Sequence, residues 1–498
     1  MTKMTLQQLE SHLWSAADIL RGSIDSSDYK HYIFGLLFYK RLCDVWEEEY
    51  EDRLAKYKDK ELAADPDEHR FHIPEGQFWK DIRKHTTNIG EKLNAAFHAI
   101  EDANMRLKDV FQDVDFNNKH RFPDEMLEKL LRHFEKYRLR REDVDGDMLG
   151  AAYEYLIAQF ADDAGKKGGE FYTPKMVVRL IVECLQPQEQ MSVYDPTCGS
   201  GGMLLEACHY LERNEKNPKT LALFGQEKNL NTWAICKMNL FLHDIDDAEI
   251  KRGDTLISPQ HLVGEDGAAR GLQTFDRVLA NPPFSLKSWG HEIWSKGDKF
   301  GRDKYGCPPS SYGDLAFVQH MVASLKLNGM LGVVLPHGIL FRSGVEGKIR
   351  EGVLRDDLIE AVIGLTPNLF YGTGIPACIL IINKNKPPAH KGKVLFINGA
   401  KEFIPGKNQN CLSDKNVARL AKGFHDYGDE DRFSRIVNLD EIAGNDYNLN
   451  IPRYISDLHD EENIDVSAEV VKLNDLRSAR DAAEAEMLTL LKEFGYGR

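Results

Sequence analysis

Residues 191–206 constrain this chain more tightly than any other stretch. The run Met191-Ser192-Val193-Tyr194-Asp195 has the composition of a short buried strand. It passes through Pro196-Thr197-Cys198-Gly199-Ser200-Gly201-Gly202 into Met203-Leu204-Leu205-Glu206, which reads as the first turn of a helix. A carboxylate at a strand end followed by a glycine-rich turn lets backbone N–H groups approach a ligand closely, with an acceptor ready for an amine or a hydroxyl. The plain alternative is a structural turn. No Gly-Lys-Ser/Thr follows the glycines, so this is not the phosphate loop of a nucleoside triphosphate hydrolase.

The surrounding pattern extends that unit into a fold. Strand-like runs at Met191–Asp195, 221–226, Phe275–Ala280, 330–335, 358–365, Ala377–Asn383 and Lys393–Asn398 alternate with helical stretches, and a short strand candidate precedes Asp254. Helices between the early strands imply right-handed crossovers and a mainly parallel, doubly wound α/β sheet. The short link Lys384-Asn385-Lys386-Pro387-Pro388 suits an antiparallel hairpin of the last two strands. Such sheets bind ligands beyond the carboxyl ends of their strands.

Before residue 151 the chain reads differently. Leu6, Leu9, Leu13, Ala17 and Leu20 fall at helical spacing behind Thr5 and Gln8 in capping-box positions, and Tyr29 to Tyr50 continues with an apolar face. Further helical patterns follow without a convincing strand. We therefore expect an all-helical N-terminal domain (1–150), an α/β domain (151–445) and a C-terminal loop and helical tail (446–498). In the tail, Leu473, Leu476, Arg480, Ala483, Met487, Leu490 and Phe494 form a short heptad-like pattern suited to packing on its own chain or on another protein's helix. The basic tract 132–141 suits either phosphate contact or a solvated helix face.

Composition narrows the function classes. A net charge of −15 argues against gripping a polyanion with the whole surface, so any nucleic-acid contact is local or supplied by a partner. Eight cysteines without a Cys-x-x-Cys pair indicate neither a zinc ribbon nor a disulfide framework, and no metal site is expected. No apolar run approaches the ~20 residues that cross a bilayer, and the N-terminus lacks a secretory signal. No membrane association and a cytoplasmic location are expected.

Three strand-end acids carry the cofactor reading. Asp195 ends the first strand, Glu227 the second, and Asp254 follows the next; in a doubly wound fold the second acid is placed for ribose hydroxyls, and the third suits an adenine amino group. Upstream, Gly168-Gly169-Glu170-Phe171-Tyr172-Thr173-Pro174-Lys175 precedes an apolar helix, with Thr173 expected as N-cap and Pro174 as the first helical residue. Finally, the apolar run Phe275–Ala280 ends in Asn281-Pro282-Pro283-Phe284. A carboxamide, two prolines of fixed φ and an aromatic face at a strand end suit a planar amine held for chemistry; a strand-ending turn is the alternative.

The Phe-Tyr-Thr-Pro, Asp-Pro-x-Cys-Gly-Ser-Gly-Gly and Asn-Pro-Pro-Phe segments, in that order, resemble the amino-directed DNA methyltransferases. With the helical N-terminal region, Gly-Gln-Glu at 225–227 and Asn-Leu-Asn-Ile-Pro-Arg-Tyr at 448–454, the chain is similar over its whole length to the modification subunit of type I restriction-modification systems. That resemblance implies an S-adenosylmethionine-dependent N6-adenine DNA methyltransferase that flips its target base. It implies a cofactor site lined by Glu170, Phe171, Tyr172, Thr173, Pro174, Lys175, Gly199, Ser200, Gly201, Gly202 and Glu227, with Asp195 near the methionine amino group. It places Asn281, Pro282, Pro283 and Phe284 at the methyl acceptor. Cys198 stands where related enzymes often carry a small residue, and it is not read as a nucleophile.

The implied partners are DNA, a separate specificity subunit, a second copy of this subunit and restriction subunits. An Asn-Pro-Pro-aromatic lip would equally serve a methyltransferase acting on protein glutamine or on RNA, and a non-catalytic scaffold is the remaining alternative. Between the lip and Asp314, Lys287, Lys296, Lys299, Arg302 and Lys304 interleave with Trp289, Trp294, Phe300 and Tyr305. This stretch is expected to be a poorly ordered loop, either a DNA contact or a lid.

Overall fold

The computed structural model describes residues 4–23, 29–144, 148, 149, 152, 155, 156, 173–264, 271–370, 374–406, 409–455 and 466–494. The chain divides into two compact units, Met1–Tyr454 and Ile455–Arg498.

The first unit begins with helices. In α1 (Leu6–Leu20) the Thr5 hydroxyl accepts from the Gln8 N–H at 3.3 Å, and the Gln8 side chain accepts from the Thr5 N–H at 2.9 Å, the expected capping box. α2 (Tyr29–Tyr57), α3 (Ile89–Ala103) and α4 (Asp124–Phe134) follow, each burying an apolar stripe. The C-terminal end of the basic tract is committed to the protein itself, while Arg132, Lys136 and Arg138 are exposed. Arg140 is buried and grips Glu51 of α2 at 2.6 and 2.8 Å, while Arg141 reaches Glu48 and Glu49 at 3.3 and 3.1 Å. These two arginines fasten the chain after α4 to α2, which takes their charge away from phosphate contact.

The core of the unit is a nine-stranded sheet. Its strands are β1 (Ser192–Asp195), β2 (Ala222–Glu227), β3 (Glu249–Arg252), β6 (Phe275–Ala280), β7 (Leu325–Pro336), β8 (Ile359–Gly364), β9 (Ala377–Asn383), β10 (Lys393–Asn398) and β11 (Ser434–Asn438). β4 (Leu262–Val263) and β5 (Gly271–Leu272) form a small separate ribbon. The order across the sheet is β11-β10-β8-β9-β7-β6-β1-β2-β3. β3, β2, β1, β6 and β7 are parallel; β9 runs antiparallel between β7 and β8, and β11 antiparallel to β10.

The hairpin therefore differs from expectation in its partners. Ala377–Asn383 and Lys393–Asn398 run in opposite directions, as their short link requires, yet they do not pair. β8 lies between them, antiparallel to β9 and parallel to β10. Every residue of β8 and β9 is buried, including Glu360, which accepts from Asn383 at 3.0 Å, and such buried strands are stable only with neighbours on both edges. β11 completes the sheet at a position that its sequence, half polar, does not announce.

Helices α5 (Lys175–Leu185), α6 (Gly202–Arg213), α7 (Leu230–Leu242), α8 (Asp314–Ala323), α9 (Val345–Arg355) and α10 (Asp414–Asp426) accompany the sheet. α5 packs against α6, α10 and β7, and α7 against β2, β3 and the helical region's α2. Phe241 of α7 meets Phe38 and Phe71 edge-on or tilted, with ring centroids 6.1 and 6.0 Å apart. Residues 449–454 belong to this unit: Leu449, Ile451 and Tyr454 are buried, and Tyr454 stacks on Phe396 at 4.4 Å.

The second unit contributes α11 (Val466–Glu493), along which Leu473, Leu476, Met487 and Leu490 are exposed. Among the described residues no helix is long and apolar enough to cross a membrane.

Candidate functional site

The sheet reverses its strand order between β1 and β6: β2 and β3 extend on one side, β7 on the other. Parallel register sets Tyr194 beside Val278 and Asp195 beside Gly225, so the carboxyl ends of β1, β2 and β6 open on one edge. Asp195 and Asn281 stand on opposite sides of the switch point, where open α/β sheets form their ligand crevice.

Asp195 is buried, and its Oδ1 accepts from the Thr197 N–H at 2.9 Å. Among the described residues no cationic side chain forms an ion pair with it. Burial, with the added charge of Glu227 and against the Thr197 hydrogen bond, pushes its carboxyl up to about 8. A carboxyl so placed becomes a good acceptor once a cationic group arrives.

The glycine-rich turn is fastened from three directions. Glu227 accepts from the Gly199 N–H at 3.1 Å and, with its other oxygen, from the Asn229 N–H at 2.8 Å. Asn239 of α7 donates to the Ser200 carbonyl at 2.9 Å. The Cys198 N–H reaches the Gln226 carbonyl at 3.0 Å. Gly201 has φ +86°, and a side chain there would meet Cys236 Sγ at 3.0 Å. A Cβ on Gly202, by contrast, meets nothing within 4 Å, so α6 opens on free space at this one position. The Cys198 thiol, hydrogen-bonded to Cys236 and buried, is held well above its usual range and serves as packing.

Asp254 is committed to its own loop. Its Oδ1 accepts from the Leu256 and Ile257 N–H groups at 3.0 Å each, and Oδ2 pairs with Lys228 at 2.8 Å. Gln226, fully buried, ties that loop to β2 by donating to the Gly253 and Ser258 carbonyls at 3.0 and 3.1 Å. Thr255 donates to the Pro196 carbonyl at 2.5 Å.

Glu170, Phe171 and Tyr172 lie outside the described residues. Thr173 does not cap α5 as expected: Pro174 is the N-cap residue, without a side-chain hydrogen bond, and Lys175 opens the helix. The proline carbonyl already accepts from Val177 and Val178, and the threonine hydroxyl is directed elsewhere, accepting from Asn281 Nδ2 at 2.8 Å. Asn281 Oδ1 is buried with no partner among the described residues. An orphaned buried acceptor costs about 1–3 kcal/mol, a cost that a donor brought by a ligand would remove. Pro282 is buried, and Phe284 lies edge-on to Phe370 at 5.7 Å.

The segment after the lip is packed, against expectation. Trp289 and Trp294 are fully buried with Leu256, Ala316 and Phe317, and their indole N–H groups donate to the Pro309 and Leu256 carbonyls, each at 3.0 Å. Arg302 is also buried, paired with Asp298 at 2.7 Å and donating to the Thr255 and Leu256 carbonyls at 2.9 and 2.8 Å. The aromatics that looked available for stacking build a clamp on the Asp254 loop. Lys287, Lys296 and Lys299 remain exposed.

Sequence reasoning passed over several residues that shape the site. Asp314, buried at the start of α8, accepts from the Ser285 N–H at 2.8 Å and is reached by Arg342 at 3.4 Å. It secures the residue directly after Phe284, where the chain adopts φ +51°. Asn239, Gln226 and Arg342 have the same character: each acts on a motif from a distant part of the chain.

The residues present suit a cationic nucleoside ligand facing a planar amine. A buried carboxyl awaits a cation, the start of α6 is open, and the Thr197 hydroxyl and Asn281 Oδ1 are buried without partners among the described residues.

Comparison with known proteins gives concordant matches. Residues 9–134 match the HsdM N-terminal domain and residues 144–463 match N-6 DNA Methylase. The chain is 34% identical to the Type I restriction enzyme MjaVII methylase subunit of Methanocaldococcus jannaschii over 95% of this chain and 82% of that protein. It is 31% identical to the MpnII methylase subunit of Mycoplasma pneumoniae over 92% and 91% of the respective lengths. A crystal structure of the type I restriction-modification system methyltransferase subunit from Streptococcus thermophilus superposes with a TM-score of 0.78 at 33% identity, covering 91% of this chain and all of that one (100%).

Proposed function

The chain belongs to the N-6 DNA methylase family, with the HsdM N-terminal domain ahead of the methylase region, and from that premise we propose how its site works. It is an adenine-specific DNA methyltransferase, the modification subunit of a type I restriction-modification system. The methyl donor is S-adenosylmethionine, which when bound supplies an electrophilic methyl group on a sulfonium. Asp195 accepts from its amino group. Glu227 accepts from the ribose hydroxyls while still holding Gly199, and Gly199, Ser200, Gly201 and Gly202 give the ligand room beside α6. Thr173, Pro174 and Lys175, with Glu170, Phe171 and Tyr172, form the wall upstream of α5, and Asp254 shapes the adenine end through its loop.

On the acceptor side, the N6 amine of adenine is a weak nucleophile because its lone pair is delocalised into the ring. Hydrogen bonds from that amine to Asn281 Oδ1 and to the Pro282 carbonyl favour a pyramidal nitrogen with the lone pair free for in-line attack, and Phe284 stacks on the base beside the rigid Pro283. Transfer is direct, and catalysis is positioning and electrostatics. An amine inside a duplex is out of reach, so the base is flipped out.

A separate specificity subunit reads the DNA sequence. This subunit works in that complex with a second copy of itself, restriction subunits join for cleavage, and the assembly acts in the cytoplasm. The helical domain (1–150), the methyltransferase domain (151–445) and the tail (446–498), whose residues up to 454 pack in the first unit, divide the labour, the part beyond 454 serving subunit contact.

The observation that carries this reading is the unpartnered Asn281 Oδ1 at the switch point, opposite Asp195. Radiolabelled methyl transfer to DNA, RNA and protein, with and without a specificity subunit, tests it. We expect label in DNA adenine only with both subunits, and Asn281→Ala to abolish transfer while the complex still forms. Label confined to protein or RNA, or full transfer by Asn281→Ala, overturns it.

A further inference from the structure

Asn281 is useful to an amine only with its oxygen presented. A half rotation about the terminal bond of the carboxamide exchanges the acceptor for a donor, and two donors then face each other. Two rigid elements control that rotation. Asn281 directly follows Ala280, the fully buried end of β6, and Thr173 stands one residue before Pro174 at the start of α5. α5 is itself anchored on the sheet by Val177, Val178, Leu180 and Ile181, all buried, and it packs on β6 and β7. The contact between the two elements at this point is the 2.8 Å hydrogen bond from Asn281 Nδ2 to Thr173 Oγ1, across 108 residues of sequence.

Resting on the function proposed above, we propose that Thr173 is a positioning residue for methyl transfer: its hydroxyl accepts from Asn281 Nδ2 and so anchors the carboxamide to the start of α5 with Oδ1 facing the acceptor amine, while the amine, which only Oδ1 can accept, selects that orientation over the flipped one. The hydroxyl is available for this because it caps no helix turn. Pairing it with Nδ2 satisfies one end of the carboxamide and leaves the other for substrate, which accounts for the orphaned Oδ1. Thr173 is itself assigned to the cofactor wall, so one side chain ties the donor half of the site to the acceptor half.

The test uses wild type, Thr173→Ser, Thr173→Val and Thr173→Ala, each assembled with the specificity subunit. Three quantities are measured: the single-turnover rate of transfer to DNA, the Kd of S-adenosylmethionine by calorimetry, and the ratio of Kd values for DNA carrying adenine or purine at the target, with S-adenosylhomocysteine bound. Purine lacks the amine, so the ratio reports the hydrogen bond to Asn281 without any reaction.

Thr173→Val is expected to slow transfer by about 10- to 100-fold. It should shift the adenine-to-purine ratio about three- to tenfold towards purine, the size of one hydrogen bond, and the loss of rate should exceed any change in the cofactor Kd. Thr173→Ser restores both quantities. Thr173→Ala repeats the Val result in a smaller side chain, which guards against a local misfit. Wild-type rate in Val and Ala, loss confined to the cofactor Kd, or failure of Ser to rescue overturns the assignment. If wild type itself transfers no methyl to DNA, or Asn281→Ala is fully active, the parent reading falls; normal controls with unimpaired Val and Ala sink only the positioning role.

Discussion

At the scale of single residues, the role proposed for Asp195 makes ligand binding sensitive to pH. Its carboxyl is pushed by burial up to about 8 in the folded protein from its ordinary 3.8, so the folded chain keeps a proton that the unfolded chain has lost. This group therefore favours folding at low pH, and its contribution declines as pH rises from about 4 to about 8, then levels off. A cationic ligand reverses the preference. Calorimetry of S-adenosylmethionine binding at pH 7, in buffers of differing ionisation enthalpy, is expected to show release of up to about one proton, a release lost in Asp195→Asn. No buffer dependence in wild type contradicts the assignment. Asp314 offers a second check, since it holds the residue after the lip and pairs with Arg342. Asp314→Ala leaves the Ser285 N–H without its buried acceptor and is expected to lower stability by about 1–3 kcal/mol; Asp314→Asn, which keeps an acceptor, loses less. Urea denaturation compares the two.

At the scale of elements, the turn between β1 and α6 separates two kinds of glycine. Gly201 needs its positive φ and abuts Cys236, so Gly201→Ala strains the backbone and presses on α7. Gly202→Ala meets no neighbour. We expect Gly201→Ala to lower the unfolding midpoint, and Gly202→Ala to leave it unchanged while weakening cofactor binding; equal thermal shifts in both variants would contradict the geometry. The clamp after the lip makes a comparable prediction. Trp294→Ala empties a fully buried indole site and is expected to cost about 3–5 kcal/mol, read by chemical denaturation.

These elements also mark how far the sequence could be read. The placement of Asp195 and Glu227 at strand ends, and of Asn281 directly after one, was legible because each apolar run and its following turn are continuous in the chain. Asn239, Thr255 and Asp314 were not, because they act across 39, 59 and 29 residues and nothing local sets them apart. Trp289, Trp294 and Arg302 misled because interleaved aromatic and basic residues look the same whether the rings face a ligand or each other. The place of β9 was hidden for a related reason: periodicity identifies a buried strand but leaves its neighbours open.

At the scale of the whole molecule, the two compact units make separable predictions. Residues 449–454 are packed into the first unit, so a chain ending at 455 is expected to keep the full chain's denaturation profile. If the tail serves subunit contact, the same truncation abolishes co-elution with the specificity subunit in size-exclusion chromatography; undiminished co-elution removes the tail from that role. α7 has a different reach. One part of it meets Phe38 and Phe71 of the helical region, while Asn239 and Cys236 on the same helix hold Ser200 and crowd Gly201. The helical region thus shares a strut with the glycine-rich turn. Chimaeras between relatives joined near residue 150 would inherit mismatched halves of that strut, so the two regions are exchangeable only as a matched pair, and their sequences can be expected to have diverged in step.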